Sequence, residues 1–320
     1  MAKTLYPQMN QYIIDAVENG SLIIFIGAGV SALYGYPTWD GLAKKLLDQC
    51  ESENKITKSQ KAVLLSDSFD PMKRVTIACD KLGDNSNGLK HVRDILGKEV
   101  EGEDKINKLN EISRYLAAYN CPIITTNADL SLDNTDAFKN RLILHSFIDW
   151  NENYDDLSLI HLHGSIKEPE NMIFTSQEYA KAYRANDDLQ FGGKLFRLLK
   201  EDRTILFIGY GLEEFMLIQY FISDTSRIIP NRFLLKGYLE KDKLAEEFDR
   251  EYYKSLGIEL ISFSREKKGY DALISVLKKW NKTIKYETLA HRRIKDIINH
   301  RCSEEPNQQS IELLEGLLNG

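Results

Sequence analysis

The chain has few cysteines and no pair of them at metal-binding spacing. Its four, Cys50, Cys79, Cys121 and Cys302, include no C-x-x-C, which excludes a zinc ribbon, a redox dithiol motif and a dense disulfide framework. Scattered thiols in apolar flanks fit a reducing cytoplasm. A block of basic residues is also missing. The 42 Lys and Arg stand against 48 Asp and Glu, a formal net charge of -6. Nothing here attracts a phosphate backbone over long range, so no direct nucleic-acid contact is expected. No long aliphatic run fits a bilayer. The one stretch without charge, Ser21 to Trp39, holds Gly27, Gly29, Gly35 and Pro37 and thins out in its second half, unlike a spanning helix. Asp15 and Glu18 occupy the place of a basic leader region, so no signal peptide is expected. The expectation is a cytoplasmic chain with no membrane contact.

What remains is 320 residues, 42% hydrophobic and 28% charged, ordinary globular composition with room for about two domains or one core with an insertion. Met9 to Asn19 reads as a helix ended by Gly20. Leu22 to Ile26 is a continuous apolar run, the pattern of a strand buried on both faces of a parallel sheet. Thr38 then caps a helix to Cys50, with Trp39, Leu42, Leu46 and Leu47 at helical spacing. From 51 to about 118 the pattern is helical, interrupted at Asp70-Pro71 and Gly83-Asp84-Asn85. Strand signals return at Pro122 to Thr125, Leu157 to Leu162, Met172 to Phe174, Thr204 to Ile208, Phe233 to Leu235 and Ile258 to Phe263. Helix-like stretches follow at Ser176 to Arg184, Gly193 to Lys200, Leu212 to Ile222, Lys243 to Leu256 and Tyr270 to Trp280. This alternation predicts an α/β fold, a Rossmann-like doubly wound parallel sheet. The expected organisation is a domain over 1–281 with an all-helical module inserted at about 51–118, and a helical C-terminal tail over 282–320.

In such sheets ligands sit beyond the carboxyl ends of the strands. The first strand runs into Gly27-Ala28-Gly29-Val30-Ser31-Ala32, a G-x-G-x-x-A turn whose glycines let backbone N–H groups approach a pyrophosphate. A strand-to-helix turn without a ligand uses the same residues. About twenty residues on stands Asp48, inside a helix rather than at the end of a second strand, so the ribose-binding acid of a dehydrogenase is missing and hydride transfer is disfavoured. The second strand ends in Thr125-Thr126-Asn127-Ala128-Asp129. These side chains suit ribose hydroxyls, a carboxamide or a water, and read alone they equally suit the cap of a following helix. The third ends in His161-Leu162-His163-Gly164-Ser165. Alternation would put both histidines on one face, yet no third metal ligand stands at useful spacing, and a core histidine is the commoner role. Gly209-Tyr210-Gly211-Leu212 closes the fourth. Glu213-Glu214 and Asp155-Asp156 are adjacent carboxylates whose side chains diverge, as on a solvated face, and His91, His145, His291 and His300 have no motif around them. The basic run His291 to Lys295 reads as a charged helix face or a docking surface for another subunit.

Taken in order, these motifs and Gly35-Tyr36-Pro37-Thr38-Trp39 resemble those of the sirtuin (SIR2) superfamily over about residues 20 to 280, and within it the prokaryotic SIR2-like NADases of antiphage defence. The resemblance implies NAD+ as substrate, with no metal. It implies that Gly27, Ala28, Gly29 and Ser31 wrap the pyrophosphate, that Thr126, Asn127 and Asp129 hold the nicotinamide ribose and carboxamide, and that Gly209, Tyr210 and Gly211 lie toward the adenosine. Asn127 and His163 become the catalytic pair, the histidine as base. Trp39 either packs at its helix start or stacks near the nicotinamide, with Asp40 beside it.

Two departures shift the expected acceptor. Deacylases carry a zinc module with two cysteine pairs, absent here, and their Arg over the nicotinamide has no counterpart in Pro37-Thr38-Trp39-Asp40. Both disfavour an acyl-lysine peptide and favour water. The implied function is cleavage of NAD+ to nicotinamide and ADP-ribose, depleting NAD+ as in abortive infection, with a homo-oligomer and a regulatory partner such as an ATPase. The alternatives are an NAD or ADP-ribose sensor without turnover, and ADP-ribosyl transfer or deacylation.

Overall fold

A computed structural model describes residues 6–84, 89–146, 157–183, 203–211 and 231–285. Among the described residues seven strands form one sheet: β1 (Leu22–Ile26), β2 (Ile123–Thr125), β3 (Ile143–Leu144), β4 (Leu159–His161), β5 (Thr204–Ile208), β6 (Arg232–Tyr238) and β7 (Glu259–Ser264). Their order is β3-β4-β2-β1-β5-β6-β7, and every pairing is parallel. The chain builds outward from β1 through β2 to the β3 edge, then returns to lay β5 on the other side of β1. The switch point of this doubly wound sheet therefore lies at β1, between β2 and β5.

Alternate residues of the buried strands feed two cores. Leu22, Ile24, Ile26, Ile123, Leu206 and Ile208 pack on one face against α1 (Gln11–Glu18), α7 (Glu103–Ala117) and a helix at 272–285 that carries the fully buried Trp280. On the other face Ile23, Phe25, Ile124, Ile160, Ile205 and Phe207 meet Tyr179 and Tyr183, at and just beyond α8 (Ser176–Ala182), and Tyr253 of α9 (Lys243–Ser255). A continuous apolar run suits a strand covered on both faces.

A third core belongs to the helical stretch. α3 (Trp39–Ser52), α5 (Pro71–Leu82) and α6 (Lys90–Leu96) bury Leu42, Leu46, Cys50, Val75, Cys79 and Val92 together, with α4 (Lys58–Leu64) alongside. Thr38 caps α3 through the amide of Gly41, Asp70 caps α5 ahead of Pro71, and Gly83 ends α5 at φ 71°, the punctuation the sequence carries. Ala128, Met172 and Phe174 join this core, so the module rests on the loop after β2. Cys50, Cys79 and Cys121 are buried. Among the described residues no helix is long and apolar enough to cross a membrane.

Two expectations need correction. Met172 to Phe174 is buried but forms no strand: after a 3-10 turn at Pro169–Asn171, its backbone tie to the β4 end is one bond, from the Ile173 amide to the His163 carbonyl at 2.9 Å. The apolar signal there reflects wedging between two cores. Conversely, β3 has two half-buried residues, too short and too exposed for a pattern. The expected helices at 193–200 and 212–222, and the tail beyond 285, lie outside the described residues.

α5 and α6 flank one titratable cluster. The fully buried Asp84 sits 2.6 Å from His91 Nδ1, and Glu53 sits 3.2 Å from Nε2. Burial pulls the imidazole pKa down, but the bonds to Asp84 and Glu53 outweigh it and leave it raised. A raised folded-state pKa contributes stability that is complete below the unfolded value of about 6.5 and is lost as pH climbs through the folded value. The melting temperature of the wild type should therefore fall more steeply with rising pH than that of His91→Gln once the pH passes about 6.5. Parallel curves in calorimetry would remove this cluster from the pH response.

Candidate active site at the switch point

The two glycine turns meet at the carboxyl ends of β1 and β5. The Gly27 amide donates to the Ile208 carbonyl at 3.1 Å and the Gly29 amide to the Gly209 carbonyl at 2.9 Å. A Cβ on Gly27 would stand 2.6 Å from the Gly209 oxygen, and one on Gly29 2.8 Å from it. The two glycine motifs are thus in physical contact. Tyr210 is buried against Phe25 and Phe207, and the exposed Gly211 accepts from Tyr253 through its carbonyl at 3.2 Å.

The loop after β2 reaches the same place. Thr126 continues the ladder by donating to the Ile26 carbonyl at 3.2 Å, and Thr125 Oγ1 accepts from the Asn127 amide at 3.0 Å. This fixes the half-buried Asn127. Its Nδ2 donates to the Gly27 carbonyl at 3.2 Å and to Ser31 Oγ at 2.8 Å, and Ser31 Oγ donates onward to Asp129 Oδ2 at 2.8 Å. Asp129 also accepts from the Ser131 hydroxyl, and from its amide at 3.2 Å. Burial raises the pKa of the Asp129 carboxyl against the pull of the Ser131 and Ser31 bonds. Tyr34, whose hydroxyl lies 3.1 Å from Ser31 Oγ, is raised by burial and by Asp129. The cap reading of Thr125 to Asp129 is not met: turns, not a helix, follow over 131–140.

A narrow cleft of about 30 Å³ opens here between sheet and helical module. Ala28, Ser31, Trp39, Thr126, Asn127 and Asp129 line it, with Phe174. Trp39 is half-buried, its ring 5.4 Å from Phe174 and 6.4 Å from Tyr179, so packing and cleft lining coexist. Asp40 is turned away. Its carboxylate, 69% exposed, pairs with Arg74 at 2.8 Å and does not line the cleft. Asp40→Asn should change stability by less than about 1 kcal/mol and leave ligand binding intact, which denaturant melts and a binding titration would check. A larger cavity of about 590 Å³ lies beyond Tyr34 and Tyr36, among Lys45, Lys98 and Lys105. Of the motif residues it holds only Gly35, Tyr36 and Pro37.

The two histidines do not share one environment. β4 ends at His161, so strand alternation stops there. His161 Nδ1 lies 2.7 Å from the Asn127 carbonyl oxygen and Nε2 3.1 Å from Asp133. Burial pulls its pKa down, but Asp133 and the Asn127 carbonyl leave it raised. His163 is fully buried, with Nε2 2.8 Å from the Tyr183 hydroxyl and Nδ1 3.1 Å from the Tyr179 hydroxyl. Burial pushes its pKa down to about 3. A base titrating near 6.5 is what an unperturbed imidazole would give, and this enclosure overrides it. His163 does not line the cleft; it lies behind Tyr179, which in turn lies near Trp39. The sequence reading missed these tyrosines, although Tyr179 and Tyr183 stand one helical turn apart. It also missed Asp133 and His145, remote from His161 in the chain.

Glycine turns meeting at the switch point of a parallel sheet, with polar side chains collected at its strand ends, define a Rossmann-like α/β protein with a ligand-type site. Residues 122–261 match the SIR2-like domain family. The chain is similar to NAD(+) hydrolase ThsA of Cytobacillus dafuensis, 26% identical over 211 residues, 63% of this chain and 37% of that one. It is also similar to Defense-associated sirtuin 2 of Bacillus subtilis, 25% identical over 257 residues, 78% of this chain and 24% of that one. The chain thus spans well under half the length of either relative.

Proposed function

We propose that this protein hydrolyses NAD+ at the bond between nicotinamide and ribose. The observation that carries the reading is the relay from Gly27 through Asn127 and Ser31 to Asp129, set where the glycine turns of β1 and β5 abut. It presents an amide and a hydroxyl beside backbone that closely approaches a neighbour, the groups needed to hold a ribose while a pyrophosphate runs along the glycines. The likeness to a protein named an NAD(+) hydrolase supports it.

The nicotinamide of NAD+ leaves as a neutral base, so positive charge develops on the sugar and no strong acid is required, as in glycoside hydrolysis through an oxocarbenium-like state. Water supplies the oxygen that bonds to the ribose C1′, the bond to nicotinamide breaks, and one proton is released. Asn127 orients that water or the ribose hydroxyls. His163 takes the proton once substrate binding displaces a tyrosine hydroxyl and hydrates the ring, which restores its basicity. Trp39 and Phe174 separate to widen the cleft. The role that fits is an NAD+-depleting effector of antiphage defence, cytoplasmic and oligomeric, held in check by a partner.

The burial of His163 favours a second reading, an NAD or ADP-ribose sensor without turnover. Chromatographic measurement of nicotinamide release, on protein across a range of concentrations, separates the two. Release supports the hydrolase, and tight binding with no release under any condition supports the sensor.

A further inference from the structure

We propose that Asp133, His145 and His161 form a binding site for a divalent transition-metal ion of the zinc class. The three arrive from separate places: Asp133 from the turns after β2, His145 from just beyond β3, His161 from the end of β4. One ligand atom of each lies within 4.8 Å of the others. The side chains are 6, 12 and 1% exposed, respectively, so water supplies little of their solvation.

His161 is held as metal-ligating imidazoles are held. Its Nδ1 faces the Asn127 carbonyl oxygen at 2.7 Å; that oxygen only accepts, so Nδ1 carries a proton and Nε2 is the ligating nitrogen. Nε2 faces both Asp133 oxygens, at 3.1 and 3.2 Å. An ionised carboxylate also only accepts, so positive charge has to sit between them, either a second proton or a metal ion. With metal–ligand bonds near 2.0–2.2 Å, neighbouring donors of a tetrahedral shell stand roughly 3.3 Å apart, close to the spacing found.

His145 argues for the metal. An imidazolium–carboxylate pair needs no further nitrogen, yet the His145 ring stacks on His161 at 5.8 Å and 22°, with Nδ1 3.8 Å from Asp133 and 3.1 Å from Ser165 Oγ. Ser165 or a water completes four ligands. Lys167 Nζ, on an exposed side chain, lies 3.0 Å from His145 Nε2. It turns outward on loading, the single proton of the neutral His145 ring moves from Nδ1 to Nε2, and a proton on His161 Nε2, where there is one, leaves to solvent. Two imidazoles and one carboxylate suit zinc and its neighbours rather than magnesium or calcium. The ion would tie the turn at Asp133 to the carbonyl of Asn127. The inference stands whether or not the domain hydrolyses NAD+.

The test uses the whole chain, stripped with a chelator and titrated with Zn2+ and separately with Co2+. One equivalent should bind, Co2+ should develop the visible absorption of a low-symmetry N/O site, and Zn2+ should raise the melting temperature. His145→Ala and Asp133→Asn should each weaken Zn2+ binding at least about tenfold, while His91→Ala, at the other His/carboxylate cluster, leaves it unchanged. Circular dichroism of each stripped variant guards against misfolding, and His145→Ala, the more exposed of the two histidines, carries the test if Asp133→Asn folds poorly. No Co2+ absorption, or equal Zn2+ affinity in wild type and His145→Ala, overturns the site in favour of a plain imidazolium–carboxylate pair.

Discussion

Asn127→Ala is expected to cut nicotinamide release from NAD+ by about 10²- to 10³-fold, the usual cost of one preorganised donor, while the protein stays folded. The variant removes two hydrogen bonds, to the Gly27 carbonyl and to Ser31 Oγ. At roughly 0.5–1.5 kcal/mol each the stability loss is modest, and water replaces part of it because the side chain is only half-buried. The catalytic loss is larger because Asn127 sets both the Gly27 turn and the Ser31–Asp129 bond. His163→Ala should cost about 10²- to 10⁴-fold, with a larger stability penalty, because a ring bonded to Tyr179 and Tyr183 leaves a void. Single-turnover nicotinamide release on both variants, matched by circular dichroism, separates chemistry from folding. Full activity in both would move the site elsewhere.

How much of this was legible depended on the kind of signal. β1 and β5 were readable to the residue because both faces of the sheet are covered, leaving Leu22 to Ile26 and Thr204 to Ile208 with no polar position except Thr204 at the start of the second run. The glycine turns were readable as turns, and only the fold revealed that Gly29 and Gly209 touch. Asp40 sat beside Trp39 in the sequence, but one helical step rotates it out to Arg74. The pKa of His163 was not legible at all. It depends on Tyr179 and Tyr183, brought over the ring by a separate helix, and desolvation reads surroundings rather than spacing. The Asp133, His145 and His161 cluster escaped for a related reason, since three remote segments converge only when the loop after β2 folds back toward the β3 edge.

Gly209→Ala is expected to destabilise the protein by about 2–5 kcal/mol, and Gly20→Ala by only about 1–2 kcal/mol, although both glycines have left-handed backbones. Gly209 has φ 62° and Gly20 φ 73°, so each alanine carries the same backbone strain, roughly 1–2 kcal/mol. They differ in what a Cβ would meet. At Gly20 nothing lies within 4 Å. At Gly209 the new carbon would stand 2.6 Å from the Val30 amide nitrogen and 3.0 Å from the Gly29 carbonyl carbon, and backbone cannot rotate away as a side chain can. Overpacking of that kind adds about 1–3 kcal/mol. Relief requires the β1 turn to part from the β5 turn, breaking the Gly29–Gly209 hydrogen bond and shifting the Gly27 carbonyl that holds Asn127. Gly209→Ala should therefore also lose nicotinamide release at temperatures where it remains folded, whereas Gly20→Ala, more than one strand length away, should keep it. Calorimetry with a parallel activity assay checks both. Equal melting shifts, or activity retained in folded Gly209→Ala, would mean that the contact between the two turns is packing alone and plays no part in holding the site.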